Sequence, residues 1–348
     1  MLIYWSLFLL LTAGTILTQA NDEPRSRLFF VTFASIPTVL MIGLRWKIGP
    51  DWTAYVEIFQ YSQLFSLTQA LFHADPAFSF LCWLLGHVGL PFWVLNLVCG
   101  IIFVNGLTAF CLRQPNPWLA FLVAFPYLVI VIGMSGARQS VALGFLFFAL
   151  NAFADLRIYR LCILIFIGAL FHGSAMLMLP LVLYSLGGKS LQRLALLALA
   201  GIIFVVQFEH TFSVYAVRYS SVSIQSGGLA YRLAMNGFAA FLFFAFRRNL
   251  NFSPHESRLW SNVSLCTLAL ALLALRLPSS TAVDRFLLYL FPLQFAVLSR
   301  LPETLGSRRG PSLVTAAVIG YAALVQITFL NFGTFSTYYV PYRSIFGV

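Results

Sequence analysis

Charge is what this sequence has least of. Only 9% of its 348 residues are Asp, Glu, Lys or Arg, with 10 acids against 21 bases. A soluble globule carries about a quarter of its residues charged, so a soluble globular protein is excluded. No hydrophilic stretch is long enough for a separate soluble domain, and residues 1–348 read as one membrane-embedded domain. Cysteine is sparse too: Cys82, Cys99, Cys111, Cys162 and Cys266 all lie in apolar segments, and none forms a CxxC pair. That spacing supports neither a disulfide framework nor a zinc site; these are small apolar packing residues. DxD, HExxH, P-loop and GxSxG patterns are missing, and His255-Glu256 stands without further ligands. A metal, a cofactor or an ATP-driven mechanism therefore has no support. Long basic runs are absent, which argues against nucleic acid as a partner. So is a run of intramembrane carboxylates of the kind ion-coupled transporters use. The N-terminal residues lack a basic leader region and read as a first transmembrane helix, not as a signal peptide.

What is present is oil. Hydrophobic residues make up 60% of the chain and aromatics 16%, with mean hydropathy +0.89. A crossing helix needs about 20 mostly apolar residues. The pattern predicts helices near 2–19, 28–44, 92–112, 117–134, 138–154, 158–172, 173–186, 191–208, 229–246, 259–276, 281–299 and 311–330. The apolar piece at 76–88 is too brief to span, and 158–172 with 173–186 suits a hairpin that does not fully cross. The expected fold is therefore all-α: a polytopic integral membrane protein with about 11–13 transmembrane helices, short loops and re-entrant or interfacial helices.

Loop charge orients these helices. Arg113 and the loops 155–160, 189–193, 247–258 and 300–309 fall on one side and hold eleven Lys/Arg against three acids. That side is expected to be cytoplasmic. The opposite side then receives MSGARQS, FHGS, the 209–228 loop, LPSSTAVDR and the C-terminal tail, where the chain keeps its uncommon polar residues. If Arg45–Asp51 also lies there, residues 52–90 must form a re-entrant or interfacial hairpin; Glu57, Gln60, Gln63 and Gln69 suit a surface helix.

Four stretches carry chemistry, and each has a plainer account beside it. In MSGARQS, Ser135 can cap a helix whose first turn holds Arg138, a place where a cation opposes the helix dipole unless an anion sits nearby. Helix N-terminus and guanidinium together make a phosphate site; the plainer account is an arginine snorkelling to headgroups. In FHGS, His172 lies at a membrane boundary and suits a general base, or simply a turn histidine satisfied by a carbonyl. In LRLPSSTAVDR, Arg276 and Arg285 can clamp phosphate or pair with acids, while Thr281-x-x-Asp284 reads as a capping box. In LRWKIGPDWTAY, Asp51 can cap the helix that follows and shares a face with Tyr55; Trp46 and Trp52 fit belt anchors beside Arg45 and Lys47.

Taken in order, several pieces resemble one family. They are Arg45-x-x-x-Gly49-x-Asp51-x-x-x-Tyr55, Asp75-Pro76-Ala77-Phe78, Arg138-Gln139-x-x-Ala142, Phe171-His172-x-Ser174-Ala175, Asp284-Arg285-Phe286 and Pro341-Tyr342. The sequence is similar to the EpsG family of Wzy-type polysaccharide polymerases, from Arg45 to Tyr342. That family often has Glu where this chain has Asp75, and commonly a basic residue where it has Gly173; Asp75 is left outside the candidate site on that account.

The resemblance implies a glycosyltransferase of the bacterial inner membrane, with its active site towards the periplasm. A growing glycan would pass from its undecaprenyl pyrophosphate carrier to a sugar hydroxyl of the next lipid-linked unit. No metal is implied. His172 would be the base, with Arg138 and Arg285 holding the departing pyrophosphate. Arg45, Asp51, Tyr55, Gln139, Ser174, Asp284 and Arg276 would bind substrate. Implied partners are undecaprenyl-pyrophosphate-linked glycans, the lipid bilayer and a chain-length-regulating co-polymerase. Two rivals use the same lipid-linked material: an O-antigen ligase, and a flippase or transporter, which needs cations but no base. A third, an acyltransferase, calls for a His-Asp pair within the membrane, and the sequence offers none.

Overall fold

The computed structural model describes residues 1–17, 29–187, 228–274, 281–305 and 313–347, with a few isolated positions between. The predicted span at 191–208, the 209–228 loop and Arg276 lie outside the described residues. Among the described residues the chain is all helical, and no strand longer than an isolated bridge occurs.

The helices in chain order are α1 (Leu2–Leu17), α2 (Val31–Gly43), α3 (Trp52–Ser62), α4 (Leu67–Phe72), α5 (Pro76–His87), α6 (Phe92–Cys111), α7 (Pro117–Ser135) and α8 (Ala137–Ala154). After them come α9 (Ile158–Phe171), α10 (Gly173–Ser185), α11 (Leu229–Phe246), α12 (Pro254–Ala274), α13 (Thr281–Leu290), α14 (Pro292–Leu298), α15 (Leu301–Leu305) and α16 (Leu313–Phe332). Six of these, α6, α7, α8, α11, α12 and α16, are long and apolar enough to cross a membrane. The protein is a multi-pass membrane protein. Helices α1, α2, α5, α9 and α10 are apolar but shorter.

Local sequence sets the breaks. Asn116 caps α7 by accepting from the Leu119 amide at 3.0 Å, with Pro117 at the first helical position. Ser66 and Gln69 form a reciprocal capping box on α4. Pro126 lies inside α7, where a proline has no N–H to give the helix; residues Phe125–Ile132 widen into a π-helical stretch that absorbs the defect.

Burial ranks the layers. The α7 segment is 94% buried and runs through the middle, whereas those of α11 and α16 are 28% buried and face outward. In lipid, apolar contact between helices carries no hydrophobic gain, so close packing and polar pairing must hold them. Gly106 of α6 and Gly144 of α8 meet back to back: a Cβ on Gly106 would stand 2.1 Å from the Gly144 carbonyl oxygen. Deeper in, Gln294 donates to Asn236 at 2.9 Å, Asn236 donates to the Leu287 carbonyl at 3.0 Å, and Tyr321 donates to Gln294 at 3.1 Å. Bonds of that kind contribute on average about 0.6 kcal/mol each in membranes.

Polar contacts sort the helix ends into two groups. At one end Arg113 pairs with Asp155 at 2.7 Å, His255 lies 3.2 Å from the Ala154 carbonyl oxygen, and Arg300 bonds Gln114. This is the basic end. The other end gathers the exit of α2, the N-termini of α6, α8 and α13, and the turn between α9 and α10. Arg45 settles which end its stretch belongs to: its guanidinium donates to Asn96 near the start of α6 at 3.0 Å. The excursion α3–α5 therefore leaves and returns at the same end, as the interfacial or re-entrant reading requires. At twelve residues, α5 is about 18 Å long by helical rise, well short of a bilayer core.

The C-terminal tail closes this end. Trp46 donates its amide to the Arg343 carbonyl and Ile345 to the Leu44 carbonyl, both at 2.9 Å, while Gly49 donates to Tyr338 at 3.0 Å. Tyr342 adds a hydroxyl bond to the Met41 carbonyl at 2.9 Å. Gly49 has φ +96°, and a Cβ there would lie 2.7 Å from the Met134 oxygen, so glycine alone fits this turn.

Candidate active site

Helix α8 begins at Ala137, with Gly136 at its N-cap position, which puts Arg138 in its first turn as the sequence predicts. The cap differs from expectation. Ser135 closes the short helical turn before Gly136 and donates its hydroxyl to Asp51 Oδ2 at 2.8 Å. Asp51 likewise occupies the N-cap position of α3 without capping it, because its carboxylate is drawn to Ser135. Both residues join two loops where the sequence suggested two helix caps.

Asp75 sits in left-handed backbone (φ +54°, ψ +64°) just before Pro76. Aspartate tolerates that conformation better than most residues. The turn sends its carboxylate inward. Oδ2 accepts from Arg138 Nη1 at 2.7 Å, and Oδ1 accepts from the Gly173 amide at 3.3 Å. His172 Nδ1 stands 3.8 Å from Oδ2, too far for a hydrogen bond. The imidazole is 8% exposed, and neither ring nitrogen has a hydrogen-bond partner among the described residues. The guanidinium carbon of Arg138 lies 5.7 Å from the Tyr55 ring centroid and 6.0 Å from that of Phe78. Ser174 donates to the Tyr289 hydroxyl at 3.3 Å, which ties the His172 turn to α13.

Electrostatics follow from this packing. Burial pushes the imidazole of His172 below its ordinary value; Asp75 pulls the other way, and Arg285 and Arg138 reinforce the burial. Burial would raise the Asp75 carboxyl, but His172 and Arg138 outweigh it and hold it below the usual carboxylate range. Burial thus favours the uncharged imidazole, while Arg138 favours the ionised form of Asp75. The anion that Arg138 needs at a helix N-terminus is Asp75 itself.

A second cluster lies on the far flank of α13. Arg232 pairs with the Asp284 carboxylate, donates from Nε to the Tyr127 hydroxyl at 2.6 Å, and Tyr127 stacks on Phe291 at 5.2 Å between centroids. The side chains of Arg232 and Asp284 are 13% and 9% exposed. Among the described residues no group of three His, Cys, Asp or Glu side chains gathers.

One match bears on what this arrangement belongs to: the sequence model of the EpsG family covers residues 28–344. This chain belongs to the EpsG family. EpsG proteins are Wzy-like polysaccharide polymerases, which makes this chain a polymerase-type membrane protein. No curated protein and no solved structure matches it.

The EpsG chain brings most of the predicted residues to one end. Arg138, His172, Tyr55 and Ser174 converge, with Gln139 one residue beyond Arg138 and Asp51 tied to the loop in front of it. Arg285 stands close enough for its charge to bear on His172. Arg45 is different: it is 2% exposed, bonded to Asn96 and the Ile42 carbonyl, and serves as an internal anchor. The Asp284 carboxylate pairs with Arg232, where the sequence suggested a capping role. The His-Asp pair that the sequence did not offer exists: His172 and Asp75 meet across helices that are distant in the chain. Asp75 and Arg232 are the residues sequence reasoning passed over. Arg232 was visible as a cation within an apolar span, the kind of residue that is rarely idle.

Proposed function

We propose that this EpsG protein elongates a glycan at the membrane face opposite its basic end, the periplasmic face of a bacterial inner membrane. The donor is a glycan on undecaprenyl pyrophosphate, and the acceptor is a sugar hydroxyl of the next lipid-linked unit. The observation that carries this reading is a buried His172 with no hydrogen-bond partner among the described residues, set against Asp75 and beside Arg138.

Such an imidazole is free to accept the acceptor hydroxyl's proton. As that proton moves to His172, the hydroxyl oxygen bonds to the anomeric carbon of the donor. The bond from that carbon to the pyrophosphate oxygen breaks, and the pyrophosphate stays on its lipid. Arg138 and Arg285 offer positive charge to the departing oxygens. Arg138 is also bonded to Asp75, so charge drawn towards the phosphate loosens its hold on the carboxylate that backs His172. A pyrophosphate is already a good leaving group, so the reaction we describe is metal-independent; unchanged elongation in a chelator would agree with it. A flippase would need the cations but no unbonded base. A chain-length-regulating co-polymerase is a natural partner for such an enzyme.

Deletion of the gene tests the reading. Surface and lipid-linked glycan should collapse to single repeat units. Persistence of long polymer would refute it, and accumulation of long lipid-linked polymer that never reaches its final acceptor would mark a ligase.

A further inference from the structure

Between the ends of α11 and α16, on the side of α13 away from His172, lies a cavity of about 350 Å³. Val131, Met235, Val325, Thr328 and Phe329 line it, and Arg232 is the single charged residue among its described walls. That volume lies within the range of small-ligand sites. Among the described residues both bounding helices are at the periphery of the bundle. It opens at the same end as His172, since Tyr127 and Asp284 hold Arg232 there.

We infer that this cavity seats the phosphate-proximal segment of the prenyl chain of the lipid-linked substrate, an inference that rests on the polymerase reading above. Three observations select this occupant. The walls are aliphatic and aromatic, which suits a branched hydrocarbon and offers little to a sugar. Arg232 marks the end at which an anionic headgroup belongs, and Tyr231 and Tyr127 frame it with amphipathic rings. Asp284 and Arg285 are consecutive on α13, about 100° apart around the helix. Asp284 faces Arg232, while the charge of Arg285 reaches His172. A lipid anchored in the cavity therefore has its pyrophosphate carried over one helix, from Arg232 to Arg285, with its glycan delivered to the imidazole. An ordinary phospholipid would gain nothing from that arrangement.

The test uses the full chain in nanodiscs of phosphatidylethanolamine and phosphatidylglycerol, with a diazirine-bearing prenyl monophosphate that carries no sugar. Cross-links should map to residues 231–235 and 324–335. Ala234→Trp and Thr328→Trp fill the cavity from partly exposed positions and should each lower labelling at least about tenfold, a large change in affinity. His172→Ala should label like the unaltered protein. Undiminished labelling in the tryptophan variants, or equal competition by a diacyl phosphatidic acid, overturns the inference. So does normal chain length in cells carrying either variant, which leaves the polymerase reading intact. Specific labelling of the chain in nanodiscs, together with polymer that survives deletion of the gene in cells, does the reverse: the cavity stands and the polymerase reading falls.

Discussion

His172 Nδ1 stands 3.8 Å from the Asp75 carboxylate, which is held at the same time by Arg138 at 2.7 Å. The carboxylate is shared, and its bond to the imidazole is not made. A rotation of the imidazole by a fraction of an ångström would complete it and leave the other ring nitrogen to take a proton. That geometry suits the general base we propose.

Removing the base is the direct consequence to check. His172→Ala should cut elongation by about 10²–10⁴-fold, the usual contribution of a general base. Membrane abundance should stay unchanged, because the ring makes no hydrogen bond whose loss would unfold the turn. Chain-length profiles on gels, normalised to protein level, give the answer; full-length polymer would remove His172 from the mechanism.

The pH profile follows from the pair. Burial lowers the imidazole's affinity for protons and Asp75 partly restores it. Protonated His172 cannot act as a base, so activity falls as pH drops through its folded value, below the ordinary value of about 6.5. Asp75→Asn takes away the anion that favours the imidazolium, so the acid limb of kcat/KM should move to lower pH. A limb that stays in place, or moves up, would show that Asp75 does not act on His172.

Arg138→Lys keeps the charge but gives up the planar fork. Asp75 is already held through Nη1 alone, so what the change takes away is two-point contact with the donor pyrophosphate. We expect elongation to fall at least about tenfold, with the loss in kcat/KM. Unchanged chain length would return Arg138 to a headgroup anchor.

The Arg232–Asp284 pair makes a stability prediction. Arg232→Met takes the cation away from a buried carboxylate, a change that costs about 3–5 kcal/mol where such pairs have been broken. Arg232→Met with Asp284→Leu should recover most of that. Thermal unfolding midpoints in detergent distinguish the two cases; equal midpoints for the single variant and the unaltered protein would contradict the pairing.

Gly106 tests the bundle itself. Leucine at this position must push α6 away from α8, since even a Cβ would meet the Gly144 carbonyl oxygen. Gly106→Leu should abolish folded protein in membranes, whereas Gly237→Leu, where a Cβ meets nothing, should be tolerated.

Much of this was legible before any coordinates. Apolar runs mark the helices, because lipid demands long apolar stretches, but they do not say which cross. Six described helices are long enough, and the run predicted as one helix over 281–299 is split at Phe291 before Pro292. Loop charge likewise separated Arg113 and Arg300 from Arg138 and His172. What stayed hidden depends on contact between distant segments. Asp51 and Ser135 each look like a helix cap from their neighbours, and only folding shows that they bind one another. Asp75 precedes Pro76 and looks like a helix start; its left-handed turn, which points it at Arg138, has no local signal. Arg45 sits in the right motif yet is buried against Asn96, a partner that no spacing rule predicts. Arg232 was the recoverable omission, since its place inside an apolar span was already in view.

The clasp between the tail and the exit of α2 has a consequence in time. Met41 and Tyr342 are 301 residues apart in the chain. A growing chain inserts its first helices while the strap that shapes the Arg45–Asp51 loop does not yet exist. The loop stays open through the insertion of every later helix and closes only when residues 338–345 arrive. Because Asp51 holds Ser135, and Ser135 leads into Arg138, the reactive end is assembled last. On the polymerase reading proposed above, a partly made chain would be embedded in the membrane but inactive until its synthesis has passed Tyr342.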